Sequence, residues 1–138
     1  MIKLPEDQEM KTILQKTKRI AVVGLSDKPS RTSYQIAHYL LQKGYEIIPV
    51  NPQVEQVFGI KAVKRLADIT ESIDIVNVFR RSEFLTEVAE ETIDIGAPVF
   101  WAQLGLSSET AYHLLKEHNI TPIMDRCIMV EHRRLLGV

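Results

Sequence analysis

The stretch Arg19-Ile-Ala-Val-Val-Gly-Leu-Ser-Asp-Lys-Pro-Ser-Arg-Thr-Ser33 constrains the fold more than any other part of the chain. Ile20-Ala-Val-Val23 is an apolar run without polar alternation, the pattern of a strand covered on both faces. Gly24 follows at once as a tight turn, then a polar loop, and Ser33 stands where a helix can be capped. In an open α/β sheet such a corner suits an anion, because the helix directs unpaired N–H groups and the positive end of its dipole into the loop. It is not a dinucleotide fingerprint. After Gly24 the second glycine of that motif is replaced by Ser26, and Ser30 stands near the third. Lys28 and Arg31 enter the loop instead and bring positive charge suited to phosphate.

The rest of the chain repeats the same alternation. Residues 5–17 read as a short helix, with Pro5 and two acids in its first turn and Met10, Ile13 and Leu14 as its apolar stripe. Ile36, Ala37, Leu40 and Leu41 recur at helical spacing after Ser33, and Gly44 closes that helix. Tyr45–Val50 is a second strand, stopped by Asn51-Pro52, and a connector with a short helical turn near Leu66–Ile69 follows. Ile73–Phe79 is the third strand, and Ser82 is placed to cap a helix carrying Leu85, Val88, Ala89, Thr92 and Ile93. Pro98–Ala102 and Ile120–Met124 are further strands. They flank a helix opened by Ser107 or Ser108 and left through Asn119. Met129–Val138 fits either a short helix or a tail. This predicts an α/β fold: a three-layer, Rossmann-like, doubly wound parallel sheet of about five strands with helices on both faces. Residues 1–138 are expected to form a single domain, with 1–17 as an N-terminal helix packed on the core.

Composition narrows the class. The chain has 138 residues and a formal net charge of −1, which gives no global pull toward nucleic acid or an acidic membrane. Cys127 is the one cysteine, so an internal disulfide is excluded and a reducing compartment is the simple reading. No signal-peptide core and no apolar run near the roughly 20 residues of a membrane span is present, so a cytoplasmic location is expected.

In a doubly wound sheet the ligand lies beyond the carboxyl ends of the strands, where strand order reverses. The expected strand tips hold Gly24, Ser26, Lys28, Arg31 and Ser33 in the first loop, then Asn51 and Pro52, then Phe79 and Arg80. Farther on they hold Gln103 and Gly105, and finally Arg126 and Cys127. Dinucleotide sites place an acid after the second strand for the ribose diol, and Asn51 brings no charge there. Asn51-Pro52 also suits a plain turn, Arg80-Arg81 a solvated pair, and Phe79 and Trp101 the core. Cys127 fits an inert buried thiol as well as a redox role with Arg126 beside it. No histidine–cysteine cluster has metal-ligand spacing, and His113 and His118 are too far apart in sequence to share a helix face as i, i+4 ligands. No nucleophile–base pair emerges.

Taken in order, Gly24-Leu-Ser26, Arg31-Thr-Ser33, Pro49-Val-Asn-Pro52, Asp74-Ile-Val-Asn-Val-Phe-Arg-Arg81, Trp101-Ala-Gln-Leu-Gly105 and Met124-Asp-Arg-Cys127 resemble the small stand-alone CoA-binding proteins. The likeness runs from about Lys11 to His132. Their fold is similar to the CoA-binding domain of the succinyl-CoA synthetase alpha subunit. The resemblance implies that coenzyme A or an acyl-CoA binds at the carboxyl edge, with Gly24, Ser26, Arg31 and Ser33 near the phosphates and Asn51, Pro52, Phe79 and Arg80 on the nucleotide side. It implies a small-molecule ligand without catalysis, since the synthetase needs a further histidine-bearing domain and an activating subunit. Other readings are a small NAD(P)-binding oxidoreductase, a redox protein forming a Cys127–CoA mixed disulfide, and a DNA-binding redox repressor. The last needs a winged-helix domain, and the roughly 17 residues before the core are too few for one.

Overall fold

The computed structural model describes residues 1–137. Its elements run α1 (Asp7–Lys16), β1 (Arg19–Val23), α2 (Thr32–Gln42), β2 (Glu46–Val50), β3 (Gln56–Val57), β4 (Ile60–Lys61), β5 (Ile75–Val78), α3 (Leu85–Ile95), β6 (Val99–Ala102), α4 (Glu109–Glu117), β7 (Thr121–Ile123) and α5 (Ile128–Leu136). Short 3₁₀ turns at Leu66–Asp68 and Ser82–Phe84 precede β5 and α3. Five strands form one parallel sheet in the order β2-β1-β5-β6-β7, and β3 pairs with β4 as a small antiparallel hairpin. The expected doubly wound, Rossmann-like α/β sheet is therefore the fold of this chain.

Alternation along each strand sends side chains to two cores. Ala21, Val23, Val76, Val78, Phe100 and Ala102 meet α3 and α4 on one face. Ile20, Val22, Ile75, Val99, Trp101 and Ile123 meet α1, α2 and α5 on the other. After β1 the chain passes through α2 to β2 on one side, then returns to β5 on the opposite side of β1. Strand order reverses between β1 and β5. That gap opens above the carboxyl edge, with α2 on one face and α3 on the other.

The connector after β2 holds structure that its sequence does not announce. Val63 makes a parallel bridge to Val50 beyond the free edge of β2. Its N–H donates to the Pro49 carbonyl at 2.9 Å, and its carbonyl accepts the Asn51 N–H at 2.9 Å. Pro49 can sit in the strand because its nitrogen faces the same outward side as that carbonyl, so no ladder bond to β1 is lost. Phe58 at the hairpin turn packs its ring 4.5 Å from Tyr34 of α2.

The C-terminal residues form a helix rather than a tail. Ile128 and His132 are buried, His132 against the rings of Tyr39 and Tyr45. Arg134 donates to both Asp7 oxygens at 2.9 Å and to Glu131 at 2.9 and 3.2 Å, joining α5 to α1. His132 Nδ1 lies 2.7 Å from the Tyr39 hydroxyl of α2. Burial, with the Lys43 ammonium nearby, lowers the His132 pKa from its ordinary 6.5. The unfolded chain then binds a proton that the folded chain refuses, and stability rises with pH wherever that holds. The contribution of His132 is complete above pH 6.5 and is lost as the pH falls from there through the folded pKa. Urea unfolding between about pH 7.5 and 5.5 should show this fall, and His132→Phe should flatten it. An equal slope in the variant would assign the pH dependence to other groups.

Candidate ligand site

The first loop is held by its own hydroxyls. Ser26 N–H donates to Ser33 Oγ at 3.0 Å, and Lys28 N–H donates to Ser26 Oγ at 3.0 Å. Ser33 therefore does not cap α2 as its sequence position suggests; Arg31 occupies the cap position, and no side chain caps the helix. The reason is tertiary. Leu25 is drawn fully into the core, which carries the Ser26 amide over the helix start, where the Ser33 hydroxyl receives it. A helix leaves its first amides without intrahelical partners, so those of α2 remain available to the loop. Among the described residues α2 is also the α-helix without an acid in its first turn; α1, α3, α4 and α5 each have at least one. The Lys28 and Arg31 side chains are exposed and make no ion pair among the described residues.

Above this helix start lies a cavity of about 560 Å³, lined by Gly24, Ser26, Lys28, Arg31, Ser33, Asn51 and Phe79. A second cavity of about 620 Å³ lies on the α3 side. It shares Gly24 and Asn51 with the first and adds Pro52 and Arg80. These nine expected residues are thus gathered around the β1, β2 and β5 tips. The remaining four, Gln103, Gly105, Arg126 and Cys127, line neither cavity.

Those four belong to a knot between the β6 and β7 tips. Gln103 is buried, and its Oε1 accepts from Asn77 Nδ2 at 3.0 Å and from the Ile128 N–H at 3.1 Å. The Gly105 N–H donates to Asp125 Oδ1 at 2.6 Å. Trp101 donates from Nε1 to the Arg126 carbonyl at 2.9 Å, while the Arg126 Nε lies 3.9 Å from the Glu131 carboxylate. Cys127 is half-buried, precedes α5 and packs against the core shared by α1, α2 and α5.

Several cavity residues have structural tasks as well. Asn51 Nδ2 donates to the Leu25 carbonyl at 3.0 Å, and its Oδ1 accepts the Gln53 N–H at 2.9 Å, tying the β2 tip to the first loop. The closest neighbour of Gly24 is the chain itself: a Cβ there would meet the Phe79 carbonyl oxygen at 2.9 Å. Arg80 rests its guanidinium 4.3 Å above the Phe84 ring. Ser82 does not cap α3; its Oγ accepts the Ser107 N–H at 3.1 Å, which links the β5 and β6 tips.

The second cavity also holds side chains from outside the strand tips. Lys64 and Arg65 enter it from the connector, and Glu87, Glu91 and Asp94 from α3. Their spacing along α3 puts the three acids on one helix face, a signal visible in the sequence but not distinguishable there from an ordinary wet surface. Burial, and then the neighbouring Glu87, raise the Glu91 pKa; the Leu66 amide, Arg80 and Arg65 offset part of this. Among the described residues no group of acids, histidines and cysteine is arranged to hold a metal ion, and no helix is long and apolar enough to cross a membrane.

Known proteins resemble this chain in sequence and in fold. A family model described as a CoA binding domain matches residues 18–133. The uncharacterized protein YneT of Bacillus subtilis (strain 168) is 58% identical over 128 residues, 93% of this chain and 95% of that protein. A solved structure of a hypothetical protein from Pyrococcus horikoshii OT3 superposes with a TM-score of 0.94 at 35% identity, covering 99% of each chain. An ADP-forming acetate–CoA ligase of Methanocaldococcus jannaschii is 31% identical over 85 residues, 62% of this chain but 12% of the ligase.

Proposed function

The chain belongs to the CoA binding domain family, and we propose that it holds coenzyme A or an acyl-CoA at the carboxyl edge of its sheet, diphosphate on the start of α2, without catalysis of its own. The observation that carries this is the uncapped, acid-free first turn of α2 beneath a cavity with two unpaired cations, Lys28 and Arg31. Backbone amides, the helix dipole and both cations converge on one region, which is what a diphosphate requires. The ligase relative matches this chain over only a small part of its own length. What it lends is a CoA-handling segment; its ligase activity is not carried over.

An NAD(P) ligand fits less well. Its diol partner after β2 would be an acid, and that place is held by Asn51, whose amide is already occupied on both sides.

Thermal unfolding separates the two. CoA at 100 times its dissociation constant should add about 2.7 kcal/mol of stability, with a clear rise in Tm, and NAD at the same concentration should not. In calorimetry, Arg31→Ala should weaken CoA by about 1.5–3 kcal/mol, the range of a hydrogen bond to a charged group. Added salt should lower the wild-type affinity as well. Equal stabilisation by NAD, or full affinity in Arg31→Ala, would overturn the reading.

A further inference from the structure

The β3–β4 hairpin turns on Phe58 and Gly59, and both have positive φ, +57° and +74°. A two-residue turn of this kind suits Asn-Gly or Gly-Gly. Phenylalanine is poorly suited to it, because in this conformation the Cβ crowds the backbone. Contacts elsewhere have to offset that strain. They are on α2: the Phe58 ring lies 4.5 Å from the Tyr34 ring and stacks 5.7 Å from His38, one turn farther along the same helix face. Neither Phe58 nor Tyr34 lines either of the two cavities described above.

What the ring holds is a wall of the first cavity. Gln53 and Val54 form part of that wall. On one side of them Asn51 is tied to the first loop through the Leu25 carbonyl. On the other side the hairpin begins, closed at its base by the Ala62 N–H on the Glu55 carbonyl at 2.9 Å. Resting on the CoA reading above, we propose that Phe58 is a positioning residue: its ring clasps the hairpin to the start of α2 and so fixes Gln53 and Val54 in the arrangement that receives the ligand. Tyr34 lies in the first turn of α2, so the clasp joins the wall to the same helix turn that the CoA reading gives to the diphosphate. With the clasp open, the competent arrangement is only a fraction of the population, and the apparent dissociation constant rises by the inverse of that fraction. By reciprocity, a bound ligand holds the clasp shut.

Calorimetry with CoA on the wild type, Phe58→Asn, Phe58→Tyr and Tyr34→Ala tests this. Phe58→Asn fits the turn better than the native residue and removes the ring. Its CoA dissociation constant should rise about three- to tenfold, the worth of one aromatic pair expressed as a ratio. Tyr34→Ala removes the other partner from a helix that accepts alanine. It should give the same loss, and the double variant no further loss. Phe58→Tyr keeps the ring and should bind as the wild type does. Hydrogen exchange gives a second readout: the Ala62 amide should exchange faster in free Phe58→Asn than in the free wild type, and saturating CoA should slow it again. Thermal midpoints check that each variant is folded, and Tyr34→Ala carries the test if Phe58→Asn is not. Faster exchange with unchanged CoA affinity would mean that the ring stabilises the hairpin alone, which overturns the inference while CoA binding stands. An equal loss in Phe58→Tyr overturns it too, because the ring is then not what matters. No CoA binding by the wild type overturns the CoA reading and this inference with it.

Discussion

Replacing Trp101 with alanine should cost about 3–5 kcal/mol of folding stability. Trp101 is fully buried in β6, between the sheet and the α1, α2 and α5 layer. Truncation leaves a large cavity in a core that cannot close it, because β5 and β7 hold the strand on both sides. It also removes the indole donor to the Arg126 carbonyl, and an unpaired carbonyl adds its own cost. A domain of this size has about 5–15 kcal/mol in total, so the variant approaches the unfolding threshold. Trp101→Phe should cost much less, since it keeps most of the volume and loses the hydrogen bond. Urea unfolding measures both. A loss below about 1 kcal/mol for the alanine variant would mean that the core relaxes around the vacancy, contrary to the packing described.

Gly24→Ala is expected to be nearly as damaging, by roughly 2–5 kcal/mol, and for a different reason. Gly24 has φ +86°, where a side chain is strained, and the new Cβ would meet the Phe79 oxygen at 2.9 Å. Neither partner is free to retreat. The Gly24 N–H donates to the Val50 carbonyl at 2.8 Å, and the Phe79 N–H donates to the Val23 carbonyl at 2.8 Å. Gly105 gives the internal control. It has the same φ of +86°, but a Cβ there meets nothing within 4 Å. Gly105→Ala should therefore show the conformational cost alone, about 1–2 kcal/mol. The difference between the two variants reads the clash. Because Gly24 borders both cavities, its variant should also lose CoA affinity in calorimetry at a temperature where it remains folded. Equal destabilisation by the two substitutions would remove the close approach to Phe79 as a constraint.

The sheet and its polar carboxyl edge were legible in the sequence because their signals are local. Ile20–Val23 is apolar throughout, Ile75–Val78 is apolar apart from Asn77, and the stripes of α2 and α3 recur at helical spacing. Connection rules then put the polar tips on one edge. Gly24, Lys28 and Arg31 stood out there because a tight turn with two cations before a helix start suits an anion.

Tertiary structure decided what depends on partners distant in sequence. Ser33 and Ser82 have the composition of caps, yet the Ser26 and Ser107 amides claim their hydroxyls. The β3–β4 hairpin is too short to carry a period, and packing of Phe58 against Tyr34 is what gives it a place. Gln103 shares the edge with the cavity residues, but its amide oxygen is taken by Asn77 and the Ile128 N–H, while Cys127 packs half-buried just before α5. The acids of α3 read as a wet face until the connector brings Lys64 and Arg65 across from them. Sequence determined which segments are strands and helices and which edge carries polar chemistry, since periodicity and turn residues act over a few positions. Which of those polar groups remain free for a ligand is set by long-range hydrogen bonds and packing, which exist only once the chain has folded.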